Sequence, residues 1–363
     1  MKHKIEQLKV NFEQNEGKYS LAFFVGGFIW DILMTGALDD WSTIVQQIVY
    51  ILIVAVMLSG EIRESVTPLQ LPKFLRKTWE YREPIIHFFL GNLLNFSSIF
   101  YYKSASIQAS FVFFLILVVL LAANELPQFR KYGLILRSIL FTLCLCSVIA
   151  ILIPVFVGFV GVIPFIAAVV ISGVLMYYFA RITLRGIDRN HTAHKQLVYP
   201  SMITLLVFAL MYLFNLIPPV PISVQFAGIY HNIERENGEY ILHSETPSWK
   251  FWSRGDQDFV AQPGDKIHFF ANIFSPTGFK DQILIHWYFN DPRQGWVSAD
   301  KIPMTISGGR AEGFRGHAYK SNYQPGQWRV QVESDDGREI ARLPVDITVV
   351  DTLTPREFHI ERR

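Results

Sequence analysis

The sequence predicts an α-helical polytopic membrane domain of seven transmembrane helices, followed by an all-β sandwich of immunoglobulin-like character. Three observations carry that prediction. Of the 363 residues 51% are hydrophobic, 30 of them Phe, which is too apolar for an ordinary soluble domain. Before position 221 the apolar residues are gathered into blocks, the last being the uncharged run LVYPSMITLLVFALMYLFNL at 197–216. Such a run is long enough to cross a hydrocarbon core of roughly 30 Å as a helix. After the stop IPPVP at 217–221, the pattern changes to the period of two expected of half-buried strands.

Runs of spanning length lie at 19–38, 41–58, 84–102, 107–123, 132–154, 157–180 and 197–216. The stretch 132–180 is too long for one helix, so PVFVGFVG at 154–161 is read as a tight Pro/Gly turn between two spans. The run at 84–102 is the most polar and is compatible with a re-entrant segment. In the loop KFLRKTWEY, Phe74, Leu75 and Trp79 stand among Lys73, Arg76 and Lys77. That suits either a short helix in the headgroup layer or a solvated basic loop.

Orientation follows from the basic residues in the short connections. The N-terminus and alternate loops carry 15 Lys and Arg, whereas the opposite connections carry only Lys103. The segment 1–18 is therefore expected in the cytoplasm and, after an odd number of crossings, the chain beyond 216 outside it. The expected location is the cytoplasmic membrane, with an extracytoplasmic C-terminal domain. A cleaved signal peptide is not expected, because a mostly polar stretch precedes a long first run that contains Asp31. Cys144 and Cys146 share one apolar run at a spacing that points them to opposite sides of a helix, so they cannot pair with each other. Residues 1–221 carry 17 Lys and Arg against 12 Asp and Glu, and the remainder 16 against 19. Neither part has the clustered basic face of a nucleic-acid binder.

In the C-terminal part, KIHFFANIF (266–274), QILIHWYFN (282–290), QWRVQVES (327–334) and IARLPVDITVV (340–350) alternate as strands of one antiparallel sandwich do. Leu343 through Val349 are expected on the inward face of the last. Asp335-Asp336-Gly337 is a hairpin turn signal, and Pro263-Gly264, Pro276-Thr277-Gly278 and Pro325-Gly326 separate other strands. The expected domains are thus 19–221 in the membrane and 222–350 as the sandwich, with 351–363 a charged, disordered tail.

Several of these stretches are similar to a known family. IHWYF (285–289), ISGGRAEGFRGHAYKSNYQPGQWRVQV (306–332) and DDGREI (335–340) resemble the bacterial family called domain of unknown function 2914. FVGGFIWD (24–31), FLGNLL (89–94), YYKSAS (101–106) and AANE (122–125) resemble the spans that precede that domain in some members. The resemblance implies a bacterial envelope protein with an exported β domain, and it implies no activity.

Ionisable and polar groups within spans are costly and normally face protein or water. Asp31, His87, Asn92 and Asn95 lie inside spans, Lys103 and Glu125 at opposite edges of the fourth, and Arg137 one turn inside the fifth. Arg137 can pair with Glu125, and Lys103 with Asp31. These groups are read as a polar path for an ion or amphiphile, or as interhelical hydrogen bonding and snorkelling. No internal repeat of the kind transporters show is present. His191 and His194 have a helix-face spacing, but only Asp188 is near, which is short of a metal set.

In the β part, Arg310 and Arg315 flank a Gly-rich turn near His317 and Tyr319, an arrangement able to hold a carboxylate or phosphate of a lipid headgroup or glycan. The alternative is an Arg310–Glu312 pair. Trp249 and Trp252 suit a sugar platform or a membrane anchor. Trp287 is expected in the core with Trp328, and His286 at the surface. No Ser-His-Asp or Cys-His pairing is recognisable, so the reading leans away from an enzyme, and no cofactor is called for. The sequence therefore points to a membrane-anchored β-sandwich that binds an envelope protein, glycan or lipid headgroup, with a transporter or sensor as the alternative.

Overall fold

The computed structural model describes residues 40–68, 72, 76, 78–104, 112–113, 115–117, 119–120, 133–189, 191–247, 249–250, 252–308 and 313–363. The chain divides into two units, a helical one that ends at Ile217 and a β one of Pro218–Arg363, to which Lys103–Ala109 and Val157–Val162 also belong.

The helical unit contains α1 (Trp41–Glu64), α2 (Arg82–Lys103), α3 (Gly133–Val157), α4 (Val162–Thr183) and α5 (Thr192–Leu213). Asp40 starts α1 by accepting a hydrogen bond from the Ser42 amide at 3.1 Å, as an N-cap carboxylate should. His191 does the same for α5, its Nδ1 accepting from the Ala193 amide at 3.2 Å. That capping contact accounts for one member of the His191/His194 pair without a metal.

Among the described residues four helices, α1, α3, α4 and α5, are long and apolar enough to cross a membrane, rather than seven. The difference has identifiable sources. The expected span at 19–38 and much of that at 107–123 lie outside the described residues, and α2 carries Glu83, His87, Asn92, Asn95 and Lys103, which lower its apolarity. The α3 helix is the hub, with its side chains from Leu140 to Val148 buried throughout. The helices around it are apolar on their uncovered faces: Val56 is 67% exposed, Ile163 73% and Leu213 71%. Uncovered aliphatic faces on several neighbouring helices are what a lipid environment accommodates and water does not. Pro154 lies inside α3 instead of opening the turn. The turn is made at 158–161, where Gly158 (φ 82°) and Gly161 (φ 127°) adopt backbone conformations that suit glycine.

The β unit contains β1 (Ser223–Tyr230), β2 (Asn232–Glu236), β3 (Glu239–Ser244), β4 (Asp258–Ala261), β5 (Ile267–Phe274), β6 (Lys280–Asp291), β7 (Gly295–Ser307), β8 (Phe314–Lys320), β9 (Gly326–Ser334), β10 (Glu339–Val349) and β11 (His359–Arg362). They form sheets in the orders β1-β5-β8, β4-β10-β9-β6-β7 and β11-β3-β2. The first two sheets enclose one core, in which Ile229, Phe269 and Ile273 meet Ile283, Ile285, Trp287, Trp328 and Val330. The alternation of β6 and β9 thus places both tryptophans inside.

The expectation of one antiparallel sandwich needs three corrections. The β4 strand pairs with β10 in parallel, Phe259 opposite Ile347. A third sheet adds a smaller core of Tyr230, Leu242 and Phe270, on the side of β1 and β5 away from the main core. The tail 351–363 is ordered, with His359 opposite Ser244 and Arg362 opposite Ile241 in the β11–β3 ladder. Arg356 fixes the turn into β11 through Asp265 at 2.7 Å, Glu245 at 2.7 Å and the Val260 carbonyl at 2.6 Å. Within β10, Leu343, Val345 and Ile347 face inward as expected, but Val349 is exposed and Ile340 is buried. An irregularity between Glu339 and Ala341 shifts the register and turns Ile340 inward.

Candidate functional site

The predicted membrane residues separate into two groups. Asp31 and Glu125 lie outside the described residues. His87, Asn92, Asn95 and Lys103 all lie on α2, with Asn92 and Asn95 buried. Contacts set the pairing of α2 with α1: Arg82 meets Glu64 at 3.3 Å, and the Tyr50 and Phe89 rings are 4.9 Å apart. The two helices are therefore antiparallel, which brings Gln47 to the level of Asn92 and Thr43 to that of Asn95. Among the described residues, both amide atoms of Gln47, Nδ2 of Asn92 and the Thr43 hydroxyl are buried with no hydrogen-bond partner. Gln47 and Thr43, in the expected span 41–58, are not among the residues predicted from the sequence.

Among the described residues Arg137 has partners other than the expected Glu125. Its guanidinium joins Glu61 of α1 and contacts Glu83 of α2 at 2.5 Å, while its own side chain is 7% exposed. Glu61 is in the last turn of α1 and Glu83 in the first turn of α2, so the helix ends bring both carboxylates to one cation. Trp79, in the loop read as either a headgroup-level helix or a solvated basic loop, donates its indole N–H to Glu64 at 2.9 Å. Residues 73–75 and 77 of that loop lie outside the described residues.

In the β unit, Arg310 and Glu312 lie outside the described residues, whereas Arg315, His317 and Tyr319 form one alternating row of β8. Their partners on β5 are Asn272, Phe270 and His268. Lys266 stands 4.7 Å over the Tyr319 ring, and the His268 and His317 ring centres are 6.5 Å apart. Burial, the neighbouring His317 and Lys266 hold His268 down at about 4, and burial lowers His317 as well. Both imidazoles are thereby biased toward neutrality, leaving Lys266 and Arg315 as the cations of the row. Gly313 leads into β8 at φ 77°, where a Cβ would collide with the Asn272 side chain.

The largest departure from the sequence reading is at His286. It was expected at the surface and is instead 2% exposed. Its Nδ1 lies 3.1 Å from both carboxylate oxygens of Glu333, and its Nε2 lies 2.7 Å from the Ser298 hydroxyl. Tyr288 donates its hydroxyl to the same carboxylate at 3.1 Å. Burial, reinforced by Glu333, pushes the Tyr288 phenol up to about 12, so it remains a donor. Arg329 lies between two rings, 4.6 Å from Tyr288 and 4.5 Å from Trp296. Three adjacent strands supply the group: β7 gives Trp296 and Ser298, β6 gives His286 and Tyr288, and β9 gives Arg329 and Glu333. A Ser–His–acid pairing is thus present where none was recognisable in the sequence. It is assembled across strands, with Glu333 47 positions from His286.

Residues 280–347 match the family described as protein of unknown function (DUF2914). The resemblance read from the β motifs is thereby shown for β6 through most of β10, a stretch that includes His286, Ser298 and Glu333. No curated protein matches the chain. Among solved structures, an immunoglobulin-like protein from Pseudomonas aeruginosa aligns with 33% of this chain and 96% of its own, at 13% identity and a TM-score of 0.20. A β-glucosidase from Listeria innocua aligns with 26% of this chain at 12% identity and a TM-score of 0.21. This chain spans 15% of that enzyme's length. The alkylpurine DNA glycosylase of Pseudomonas fluorescens aligns over 77% of this chain and 84% of its own, at 8% identity and a TM-score of 0.21. At these TM-scores the alignments carry no argument about function.

Proposed function

We propose that this chain is a multi-pass protein of the bacterial inner membrane. Seven spans within 19–221 carry an immunoglobulin-like domain on the periplasmic side, where it serves as a binding module of the cell envelope. The observation that supports binding is the β8 row: Lys266 and Arg315 supply fixed positive charge beside His317 and Tyr319, which are exposed. Its ligand is an anionic group, a carboxylate or phosphate of a polymer or lipid headgroup, held by charge-assisted hydrogen bonds.

The test uses the full chain in detergent, offered nanodiscs containing phosphatidylglycerol or phosphatidylcholine, and soluble peptidoglycan fragments. Retention on one anionic ligand, weakened about tenfold by the Lys266→Ala/Arg315→Ala double variant, supports the reading. Equal binding of neutral and anionic ligands, or no effect of the double variant, contradicts it.

A transporter or sensor is the second reading. It is supported by the level of α1 and α2 where Gln47, Thr43 and Asn92 hold buried polar atoms that are unpartnered among the described residues. A polar solute or water file between these helices would satisfy them.

A further inference from the structure

We infer that Ser298, His286 and Glu333 form an acyl-transfer centre that hydrolyses carboxylic esters with a small acyl group. The chemistry follows from which groups can donate and which can accept. An ionised carboxylate only accepts, so Glu333, already receiving the Tyr288 hydroxyl, fixes the proton of His286 on Nδ1. In the neutral ring Nε2 is then a lone pair, and it faces the Ser298 hydroxyl at 2.7 Å. That is the arrangement in which an imidazole acts as general base toward a serine and a buried acid holds its tautomer.

Burial is graded in the same direction. The side chains of His286 and Glu333 are 3% and 7% exposed, whereas Ser298 is an exposed residue of β7. The base and its positioning carboxylate are shielded from water, and the nucleophile is open to substrate. The β7 strand is also the edge of its sheet, so its outward backbone N–H groups stand outside the ladder. Arg329, held against Trp296 two residues along from Ser298, brings a permanent positive charge to the same surface. Both can stabilise a developing oxyanion. An exposed serine on a strand edge serves an ester with a short acyl chain, which needs no enclosing cavity.

In the first half-reaction the Ser298 oxygen attacks the ester carbonyl carbon and its proton passes to Nε2 of His286. The carbon–oxygen bond to the alcohol then breaks, and the alcohol leaves with that proton. In the second, water loses a proton to Nε2, attacks the acyl-serine, and releases the carboxylic acid while the proton returns to Ser298. No oxidant, reductant or metal enters the balance.

The experiment uses the full chain in detergent with p-nitrophenyl acetate and a fluorophosphonate probe, and the modified residue is located by peptide mass spectrometry. The centre predicts a single phosphonylated residue, Ser298, and ester hydrolysis that falls at least about 100-fold in Ser298→Ala, the scale of a lost nucleophile and its base. Glu333→Gln, a positioning change, should lower the rate and shift its pH profile. Because Ser298 is exposed, Ser298→Ala tests the chemistry apart from folding. Should the buried variants fail to fold, Ser298→Cys keeps the test open. Its thiol, next to His286, should react with iodoacetamide at pH 6 at least about tenfold faster than the Ala299→Cys control. Labelling elsewhere only, hydrolysis unchanged by Ser298→Ala, or equal alkylation of the two cysteine variants overturns the assignment.

Discussion

At the scale of single residues, burial separates positions that composition treats alike. Lys320 ends β8 with its side chain 1% exposed, joined to Asp300, 3.1 Å from the Asn322 side chain and 4.9 Å over the Trp328 ring. A buried ammonium tolerates loss of its carboxylate poorly and replacement by an apolar chain well. Asp300→Ala is therefore expected to destabilise the β unit by about 2 kcal/mol, near the low end for a partly exposed partner, and Lys320→Met by less than about 1 kcal/mol. Urea titration of each variant reads both. His268 gives a pH dependence of defined sign. Its folded value of about 4 lies below the ordinary 6.5, so the unfolded chain binds the proton first. Stability should fall as pH drops from about 6.5 to about 4 and level off below, and His268→Gln should flatten that part of the curve. A thermal midpoint that rises on acidification through this window would count against the assignment.

Elements show where local pattern was sufficient and where it was not. Alternation in β6 and β9 put Trp287 and Trp328 in the core because the period of a strand is a local property. The same alternation assigned His286 correctly to the opposite face, yet that face is covered at this point from the neighbouring strands, by Glu333 of β9 at 3.1 Å and Ser298 of β7 at 2.7 Å. Cross-strand cover depends on register, which no single strand carries. The tail was misread for a related reason. Its charged composition offers no apolar periodicity, and its order comes from Arg356 reaching Asp265, 91 positions away in sequence. Arg356→Ala should accordingly cost about 2 kcal/mol and open the β11–β3 pair. Loss of amide protection in 239–244 and 359–362 by hydrogen exchange would show it. On α1 and α2, a Gln47→Leu/Asn92→Leu variant separates the two readings of the helical unit. If the amides only pack, it should be as stable as the parent or more so. If they line a path, stability should hold while any transport or sensing phenotype is lost.

For the whole molecule, the division into a helical and a β unit was legible from hydropathy and period alone, since both are set by runs of many residues. The number of spans was less so. Residues 19–38 and most of 107–123 lie outside the described residues, and α2 is too polar to qualify by apolarity. The candidate sites were legible only in part, because Arg315, His317 and Tyr319 share one strand and hence one local alternation, whereas Ser298, His286 and Glu333 meet only through the register of three. Orientation rests on the lysine and arginine asymmetry. It is open to direct measurement because both cysteines, Cys144 and Cys146, are buried in α3 and offer little background to a thiol reagent. A single cysteine placed at the exposed Thr352 and challenged in spheroplasts with a membrane-impermeant maleimide tests the proposed topology most directly. Labelling before lysis is the predicted result. Labelling that appears only after the membrane is opened would place the β domain inside the cell and contradict the account.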